Sequence, residues 1–403
     1  MDQINNKSIC PYVFKGAMIT VNSTVRPCCR YSDWDEVKPT VSDTNTIEDI
    51  FYSEYYQSLR KRMLAGEMIP GCKKCYKEEQ AGVLSMRNSS HILEADTNIE
   101  LEYLEVESGR HCNLKCRSCN PEISTGWNED IKKSDDLAVM YGYRDNLEEL
   151  DSFKYNDALR TLTKEQCSKL KQIKATGGEP FLSKSFLTLI ENLDKWDLAK
   201  NITLEVYTNV SFMPKPKFVK SLMKLKKIEL CMSIDSIKER NDYLRAGSDW
   251  NTVVQVTDFW LDLASKNKEQ FKLVVSNTIS IFNILTIDQL IQFIADKEIE
   301  FDVYIEVHHV VLHYPRHQSI YNFSRQTKDK ILGYLKEIPS KVNFPLYEYN
   351  KRNLRKLSSV LESSSPTTVS AKKDFFHTTN SIDKVRGESW KTVFPEVLKL
   401  LRG

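Results

Sequence analysis

The sequence of 403 residues lacks three features that would place it in a membrane or on a nucleic acid. It has no apolar stretch of about 18 residues, so we expect no membrane-spanning helix. Its first residues, MDQINNKSIC, lack a charged start followed by an apolar run, so we expect no signal peptide. The 57 basic and 55 acidic residues leave a formal net charge of +2, which gives no electrostatic reason to expect a nucleic-acid or membrane partner. A cytoplasmic location is therefore expected, where clustered cysteines bind metal more often than they form disulfides.

Strand-like and helix-like segments alternate from about residue 100 to residue 312. Amphipathic segments such as 185–196 and 286–297 lie between most of the candidate strands. The strands are short, β-branched and mostly apolar, as strands buried on both faces are: 101–108, 172–176, 202–209, 227–235, 271–280 and 302–310. This alternation predicts an α/β fold with a parallel sheet, either doubly wound or an incomplete barrel.

The segments outside these strands have their own character. Residues 122–160 are polar and charged, and we expect them to form an insertion of loop and helix after the first strand. Residues 1–90 contain five cysteines and little apolar periodicity. Near the end, residues 327–338 predict a helix, and a Ser/Thr-rich linker at 358–370 leads to a last helix.

The segment CNLKCRSC places Cys112, Cys116 and Cys119 directly after the first candidate strand. This spacing cannot lie on one helix face, so it predicts a loop that wraps a metal centre. Soft thiolates select iron–sulfur clusters or zinc. A cubane held by three protein thiolates keeps one iron open for a small molecule, whereas a zinc site needs a fourth ligand such as His111.

A second motif, ATGGEPFL, follows the second candidate strand. Gly177 and Gly178 let the backbone approach a ligand closely, and Glu179 with nearby carbonyl groups can receive an ammonium group. Alone the motif is weak, because strand-to-helix turns often contain two glycines. Because the motif lies one βα unit after a three-cysteine loop, it is much more specific here.

The two motifs together resemble the radical S-adenosylmethionine (radical SAM) enzymes, over about residues 100–312. The resemblance implies that Cys112, Cys116 and Cys119 bind a [4Fe-4S] cluster whose open iron is chelated by SAM. It also implies reductive cleavage of SAM to a 5′-deoxyadenosyl radical, which takes a hydrogen atom from the substrate. The implied fold is a partial (β/α)6 TIM-like barrel with its site at the C-terminal ends of the strands.

Further SAM contacts are implied one position at a time. The Ser and Asp of CMSIDS are similar to the family's ribose contacts, and the Arg of NDYLRAGSDW to the arginine that pairs with the SAM carboxylate. Two asparagines end further strands. Each also has a simpler interpretation as a capping or solvated residue. The candidate SAM-binding residues are Gly177, Gly178, Glu179, Ser233, Asp235, Arg245, Asn209 and Asn277.

One position departs from the family pattern. Ser118 stands before the third cysteine of the loop, where the superfamily commonly has an aromatic residue that packs by the adenine. Adenine packing must then come from a residue that the motif does not identify.

The N-terminal cysteines form a second candidate centre. Residues 10–30 predict a hairpin bounded by thiols, and Cys72 with Cys75 forms a chelating pair. Cys10 and either Cys28 or Cys29 complete a set of four, and we select Cys28. The region resembles the SPASM module or its shorter twitch form, which usually follows the barrel in those families. The resemblance implies an auxiliary [4Fe-4S] cluster suited to electron transfer, with a zinc ribbon as the structural alternative.

These motifs predict three domains: an auxiliary module at 1–92, a radical SAM barrel at 93–325 and a helical C-terminal extension at 326–403. The expected cofactors are two [4Fe-4S] clusters and SAM. The predicted function is oxidation or modification of a peptide or sugar-like small-molecule substrate, with an electron donor such as flavodoxin or ferredoxin. The alternatives are a non-catalytic iron–sulfur or zinc scaffold and an RNA- or nucleotide-modifying radical SAM enzyme, although a nucleic-acid partner is not expected. No role is assigned to four histidines near the sixth strand: His308, His309, His313 and His317.

Overall fold

The computed structural model describes residues 8–32, 38–80, 82, 84–88, 97–152, 156–343, 348–363 and 369–402. The chain divides into two compact units. The first consists of Met1–Arg110, Phe153–Val206 and Pro214–Ile228, and the second of His111–Ser152, Tyr207–Met213 and Glu229–Gly403. Over the residues described, no helix has the length and apolar character needed to cross a membrane.

The first unit contains the N-terminal cysteines and the beginning of the sheet. Its helices are α1 (Pro11–Lys15), α2 (Ile47–Tyr52), α3 (Glu54–Leu64), α4 (Lys73–Gln80), α7 (Lys164–Cys167), α8 (Lys184–Lys195) and α9 (Pro216–Leu222). Its strands are β1 (Gly16–Ile19), β2 (Val25–Arg26), β3 (Tyr103–Glu107), β4 (Gln172–Thr176) and β5 (Thr203–Thr208), whose last two residues enter the second unit.

The second unit contains the cysteine loop and the C-terminal helices. Its helices are α5 (Asn128–Lys132), α6 (Asp135–Met140), α10 (Lys238–Leu244), α11 (Trp250–Ser265), α12 (Ile287–Phe301), α13 (Arg325–Lys341), α14 (Glu348–Ser363), α15 (Val369–Arg386), α16 (Trp390–Val393) and α17 (Pro395–Arg402). Its strands are β6 (Lys227–Ser233), which begins in the first unit, β7 (Phe271–Ile279) and β8 (Ile305–Val311).

The eight strands form one sheet in the order β2-β1-β3-β4-β5-β6-β7-β8. The pairs β3–β4, β4–β5 and β7–β8 are parallel, and β1 is antiparallel to β2. Strands β3 to β8 follow chain order, as in a (β/α)6 arrangement, without the reversal that a doubly wound sheet requires. The α/β prediction is confirmed, and the predicted hairpin adds two strands because β1 pairs in parallel with β3.

Two segments differ from the sequence-based expectation. Strand β8 begins at Ile305 and not at residue 302, because Asp302 has a left-handed φ of 52° and ends helix α12. The expected linker at 358–370 is partly helical, since 358–363 belong to α14 and 369–370 to α15, while 364–368 lie outside the described residues. Helix α14 forms because Leu354, Leu357 and Leu361 are spaced to bury one face in the core of the second unit.

Candidate functional site

The three-cysteine loop is held by backbone hydrogen bonds to the segment that follows α10. The Lys115 N–H donates to the Ala246 carbonyl at 2.9 Å, and the Arg117 N–H donates to the Leu244 carbonyl at 2.8 Å. Gly247 allows the approach with its φ of +97°, because a methyl group there would lie 3.2 Å from the Asn113 carbonyl oxygen. The loop therefore has a fixed path without regular secondary structure.

A second set of contacts comes from the insertion after the loop. The Ser124 hydroxyl donates to the Leu114 carbonyl at 2.7 Å, and the Trp127 indole N–H donates to the Cys116 carbonyl at 3.1 Å. A methyl group at Gly126 would lie only 2.2 Å from the Leu114 carbonyl oxygen, so no larger residue fits there. The polar segment 122–160 thus supports the loop. Sequence analysis missed this role, because the polar composition of the segment does not reveal that Trp127, Ile131, Leu137 and Leu150 form a small buried cluster.

The thiols of the loop interact with one another and with a buried cation. A hydrogen bond with Cys119 lowers the pKa of Cys116 to about 7 against the effect of burial, and Arg245 lowers it further. The same hydrogen bond and burial raise the pKa of Cys119, and the charge of Cys112 adds to the rise. A loop with three interacting thiols, two of them beside a guanidinium, is therefore suited to bind a positively charged metal centre as thiolates.

Arg245 and Asp235, two predicted SAM contacts, lie together at this site. Arg245 Nη1 donates to Asp235 Oδ2 at 3.0 Å, and both side chains are buried. The neighbouring thiolates of Cys116 and Cys119 help to raise the pKa of Arg245, against the effect of burial. Arg245 Nε is buried without a hydrogen-bond partner among the described residues, so one donor is left for a ligand.

Asn209 directly follows β5 and Ser233 is the last residue of β6, but their surroundings differ. Asn209 Nδ2 donates to Asn113 Oδ1 at 2.9 Å and lies 3.7 Å from the sulfur of Cys112, so this side chain contacts the cysteine loop. Ser233 is half-buried at the end of β6. Of these two, Asn209 lies beside a predicted cluster ligand.

Asn277 supports the end of β6 from the neighbouring strand. Its Nδ2 donates to the carbonyl groups of Ile234 and Asp235 at 3.2 and 2.9 Å, and its Oδ1 lies 3.1 Å from His309 Nδ1. The Thr278 N–H donates to Asp235 Oδ1 at 2.8 Å. These bonds fix the position of Asp235.

The Gly-Gly-Glu-Pro motif forms a tight turn in the first unit, at the ends of β3 and β4. The Gly178 N–H donates to the Gly109 carbonyl at 2.7 Å. A methyl group at Gly177, where φ is +120°, would lie 2.8 Å from Gly109 O and Ser108 N. Glu179 is buried, and its Oε1 accepts the Phe181 N–H at 3.1 Å. Gly177 is thus required by the close approach of two backbone segments.

Four N-terminal cysteines lie in one buried region of the first unit. Burial raises the pKa of Cys10 to about 12, and the charges of Cys72 and Cys75 add to it. Burial and the charge of Cys10 likewise raise the pKa of Cys28. The four predicted ligands are therefore close enough to interact, and a bound metal centre would relieve the mutual repulsion of their thiolates.

Cys29 points elsewhere, although it is next to Cys28 in sequence. Its backbone N–H donates to Glu105 Oε2 at 3.2 Å, and its sulfur lies 3.9 Å from the sulfur of Met86. Cys29 is also exposed, whereas Cys28 is buried. These surroundings favour Cys28 as the ligand.

The four histidines near β8 do not form a cluster. His308 Nε2 lies 3.2 Å from Glu306 Oε2 and 2.7 Å from the Tyr349 hydroxyl. His309 points to the other side of the strand, where burial lowers its pKa to about 4 and Asn277 is its partner. Burial also lowers the pKa of His317 to about 4, so both of these histidines are neutral.

Residues 10–76 match the family model of the SPASM iron–sulfur cluster-binding domain. Three solved structures show weaker similarity. Streptococcus suis SuiB is 15% identical with a TM-score of 0.35, over 76% of this chain and 56% of that chain. The anSMEcpe structure with bound AdoMet is 18% identical with a TM-score of 0.40, over 59% of each chain. SuiB bound to its precursor peptide SuiA is 14% identical with a TM-score of 0.35, over 79% of this chain and 60% of that chain.

The chain therefore spans less than two thirds of the length of these structures, and TM-scores of 0.40 or below do not establish a common fold. The family match is independent of them and includes Cys10, Cys28, Cys72 and Cys75. It confirms the predicted SPASM iron–sulfur module, which precedes strands β3 to β8 in the sequence. This chain is thus a protein with an N-terminal SPASM iron–sulfur cluster-binding domain.

Proposed function

We propose that this protein is a radical SAM enzyme in which Cys112, Cys116 and Cys119 hold a [4Fe-4S] cluster. The observation that carries the proposal is that this three-cysteine loop meets the buried guanidinium of Arg245, which lies beside the thiols of Cys116 and Cys119. Its Nε is a buried donor without a protein partner among the described residues, as a site for the SAM carboxylate requires. When bound, the reduced cluster and SAM supply a 5′-deoxyadenosyl radical.

The protein's own residues prepare this site in two ways. Asn209 and the backbone bonds of the loop fix the position of Cys112 and its neighbours. Asp235 partly neutralises Arg245, so a ligand carboxylate meets a cation that is already oriented.

We further propose that the reaction removes two electrons from a C–H centre of a peptide or sugar-like substrate. The four thiolates predicted to bind the SPASM cluster would leave no open iron for substrate, so this cluster would be suited to accept an electron after hydrogen abstraction. The first electron would come from a flavodoxin or ferredoxin.

The test is oxygen-free reconstitution of the full chain with iron and sulfide, followed by SAM and dithionite. We expect release of 5′-deoxyadenosine, measured by chromatography, in the wild type and none in a variant with Cys112, Cys116 and Cys119 changed to Ala. A wild type that contains both clusters but releases no 5′-deoxyadenosine would contradict the proposal and favour a non-catalytic scaffold.

A further inference from the structure

Arg117 lies between two predicted cluster ligands, and its side chain points away from them into the core. The side chain is fully buried, with 0% of its surface exposed. It pairs with Asp383 at 2.5 Å and with Glu388, and its guanidinium lies 3.7 Å from the centre of the Tyr243 ring. Asp383 belongs to α15 and Glu388 to the turn before α16, so the cysteine loop is bonded to the C-terminal extension.

The carboxylate that receives Arg117 is itself fixed. Asp383 Oδ1 accepts the Tyr243 hydroxyl at 2.9 Å, and Oδ2 accepts the Trp390 N–H at 2.8 Å. Trp390 belongs to the hydrophobic core of the second unit. The Arg117 backbone is held as well, because its carbonyl accepts Gln318 Nε2 at 2.9 Å. Neither partner can move without breaking several buried contacts.

A second connection joins the same extension to the loop at Cys116. Arg386 Nε donates to Asp130 Oδ2 at 2.7 Å, and Asp130 Oδ1 accepts Lys115 Nζ at 2.7 Å. Arg386 also lies 4.5 Å from the centre of the Trp127 ring, whose N–H donates to the Cys116 carbonyl. Helix α15 is thus connected to the loop on both sides of Cys116, directly at Arg117 and through Asp130 at Lys115.

A buried guanidinium is tolerated only when it is paired, because removing its partners leaves an uncompensated charge. Burying such a network costs desolvation free energy, and the paired charges then hold the side chains in one defined geometry. In this protein it is built on a loop with no regular secondary structure of its own, directly between two cluster ligands. An ordinary packing role would not require two carboxylates from the last part of the chain.

We propose that α15 and α16 hold the three-cysteine loop in its cluster-binding conformation, with Arg117 as the positioning residue. The inference rests on the proposed function for the identity of the group that the loop binds. It gives the C-terminal extension, which contains no recognisable motif, a part in the radical site.

The test compares Arg117→Met and Arg117→Lys in the reconstituted full chain. Arg240→Met is the matched control, because Arg240 pairs with Glu396 of the same extension at 3.1 Å but does not touch the loop. A chain with two cubanes contains about eight irons. We expect about four irons per chain in Arg117→Met, at least about six in Arg117→Lys and about eight in Arg240→Met. We also expect Arg117→Met to lose the change in the reduced cluster's EPR signal on addition of SAM.

Asp383→Asn provides an independent variant, since it removes the charge from the other side, and we expect the same loss of iron. A full iron content and an unchanged EPR response in Arg117→Met would overturn the proposal. Equal iron loss in Arg117→Met and Arg240→Met would overturn it too, because the effect would then be general instability. Failure of the proposed function is distinguishable from failure of the Arg117 proposal. In that case the wild type itself would lack a cluster that depends on Cys112, Cys116 and Cys119, or would not cleave SAM.

Discussion

Asp235 and Arg245 form a buried ion pair of 3.0 Å beside the thiols of Cys116 and Cys119. The family resemblance implies separate contacts for these two residues, with the SAM ribose and the SAM carboxylate. In the structure each is a partner of the other, and Asp235 Oδ1 is also bonded to the Thr278 N–H. Asp235 therefore determines where the Arg245 guanidinium lies.

The first prediction concerns this pair. Asp235→Asn keeps an acceptor for the Thr278 N–H but leaves Arg245 buried without its counter-charge. We expect the free energy of unfolding to fall by about 3 kcal/mol, measured as a lower urea midpoint. The control is Asp258→Asn, which breaks a partly exposed pair with Lys297 and should cost about 1 kcal/mol or less. Equal effects of the two variants would show that burial of the Asp235 pair is unimportant.

The second prediction separates two neighbouring cysteines. Cys28 lies with Cys10 and Cys72, whereas Cys29 lies against Glu105. We expect Cys28→Ser to lose the SPASM cluster, about four irons per chain, and Cys29→Ser to retain it. Iron and sulfide analysis after oxygen-free reconstitution measures both. Loss of iron in Cys29→Ser alone would reverse the assignment.

The third prediction concerns the close approach at Gly177. In Gly177→Ala the new methyl group meets two backbone atoms at 2.8 Å, and neither can rotate away. Gly66→Ala is the matched control, because Gly66 has a φ of +83° but nothing within 4 Å. Both variants carry backbone strain of about 1 kcal/mol, and Gly177→Ala should cost about 1–3 kcal/mol more.

Thermal unfolding measures the difference between these two glycine variants, and equilibrium dialysis measures SAM binding. We expect weaker SAM binding only in Gly177→Ala, because only that residue belongs to the predicted SAM motif. If a folded Gly177→Ala variant bound SAM with wild-type affinity, the turn would not be part of the SAM site.

Motif spacing and periodicity predicted the parts of this protein that depend on local chemistry. Strand β4 has the predicted bounds, and the SPASM domain lies where the cysteine pattern places it. The spacing could not decide between Cys28 and Cys29, because the choice depends on Glu105, a residue 76 positions further along the chain. Composition likewise did not predict that the start of the 358–370 segment is helical. It continues α14, whose Leu354, Leu357 and Leu361 are buried in the core.

The support of the cysteine loop could not be predicted from the sequence for the same reason. In the sequence Arg117 is an ordinary charged residue between two cysteines, and its partner Asp383 lies 266 positions away. Trp127 stands in a segment whose composition is polar, and only its hydrogen bond to Cys116 shows its role. Such long-range ion pairs and single buried side chains produce no periodic signal.

The last prediction is a pH dependence of stability that arises at Glu298. Its carboxyl group is buried near the end of α12, where it accepts the Ile305 N–H at 2.8 Å, and burial raises its pKa from 4.5 to about 7. Because Glu298 binds its proton more tightly in the folded state than in the unfolded state, protonation of Glu298 contributes to the free energy of unfolding at low pH. This contribution is lost as the pH rises from about 4.5 through 7.

Glu298→Gln keeps an oxygen acceptor for Ile305 and removes the charge. We expect the variant to match the wild type at pH 5 and to be more stable at pH 8 by about 1–3 kcal/mol, measured by urea unfolding at both values. Glu300→Gln, which changes an exposed carboxylate on the same helix, should show no such pH-dependent gain. An equal gain for Glu298→Gln at pH 5 and pH 8 would mean that the stabilisation comes from altered packing, since a titrating carboxylate affects only the higher pH.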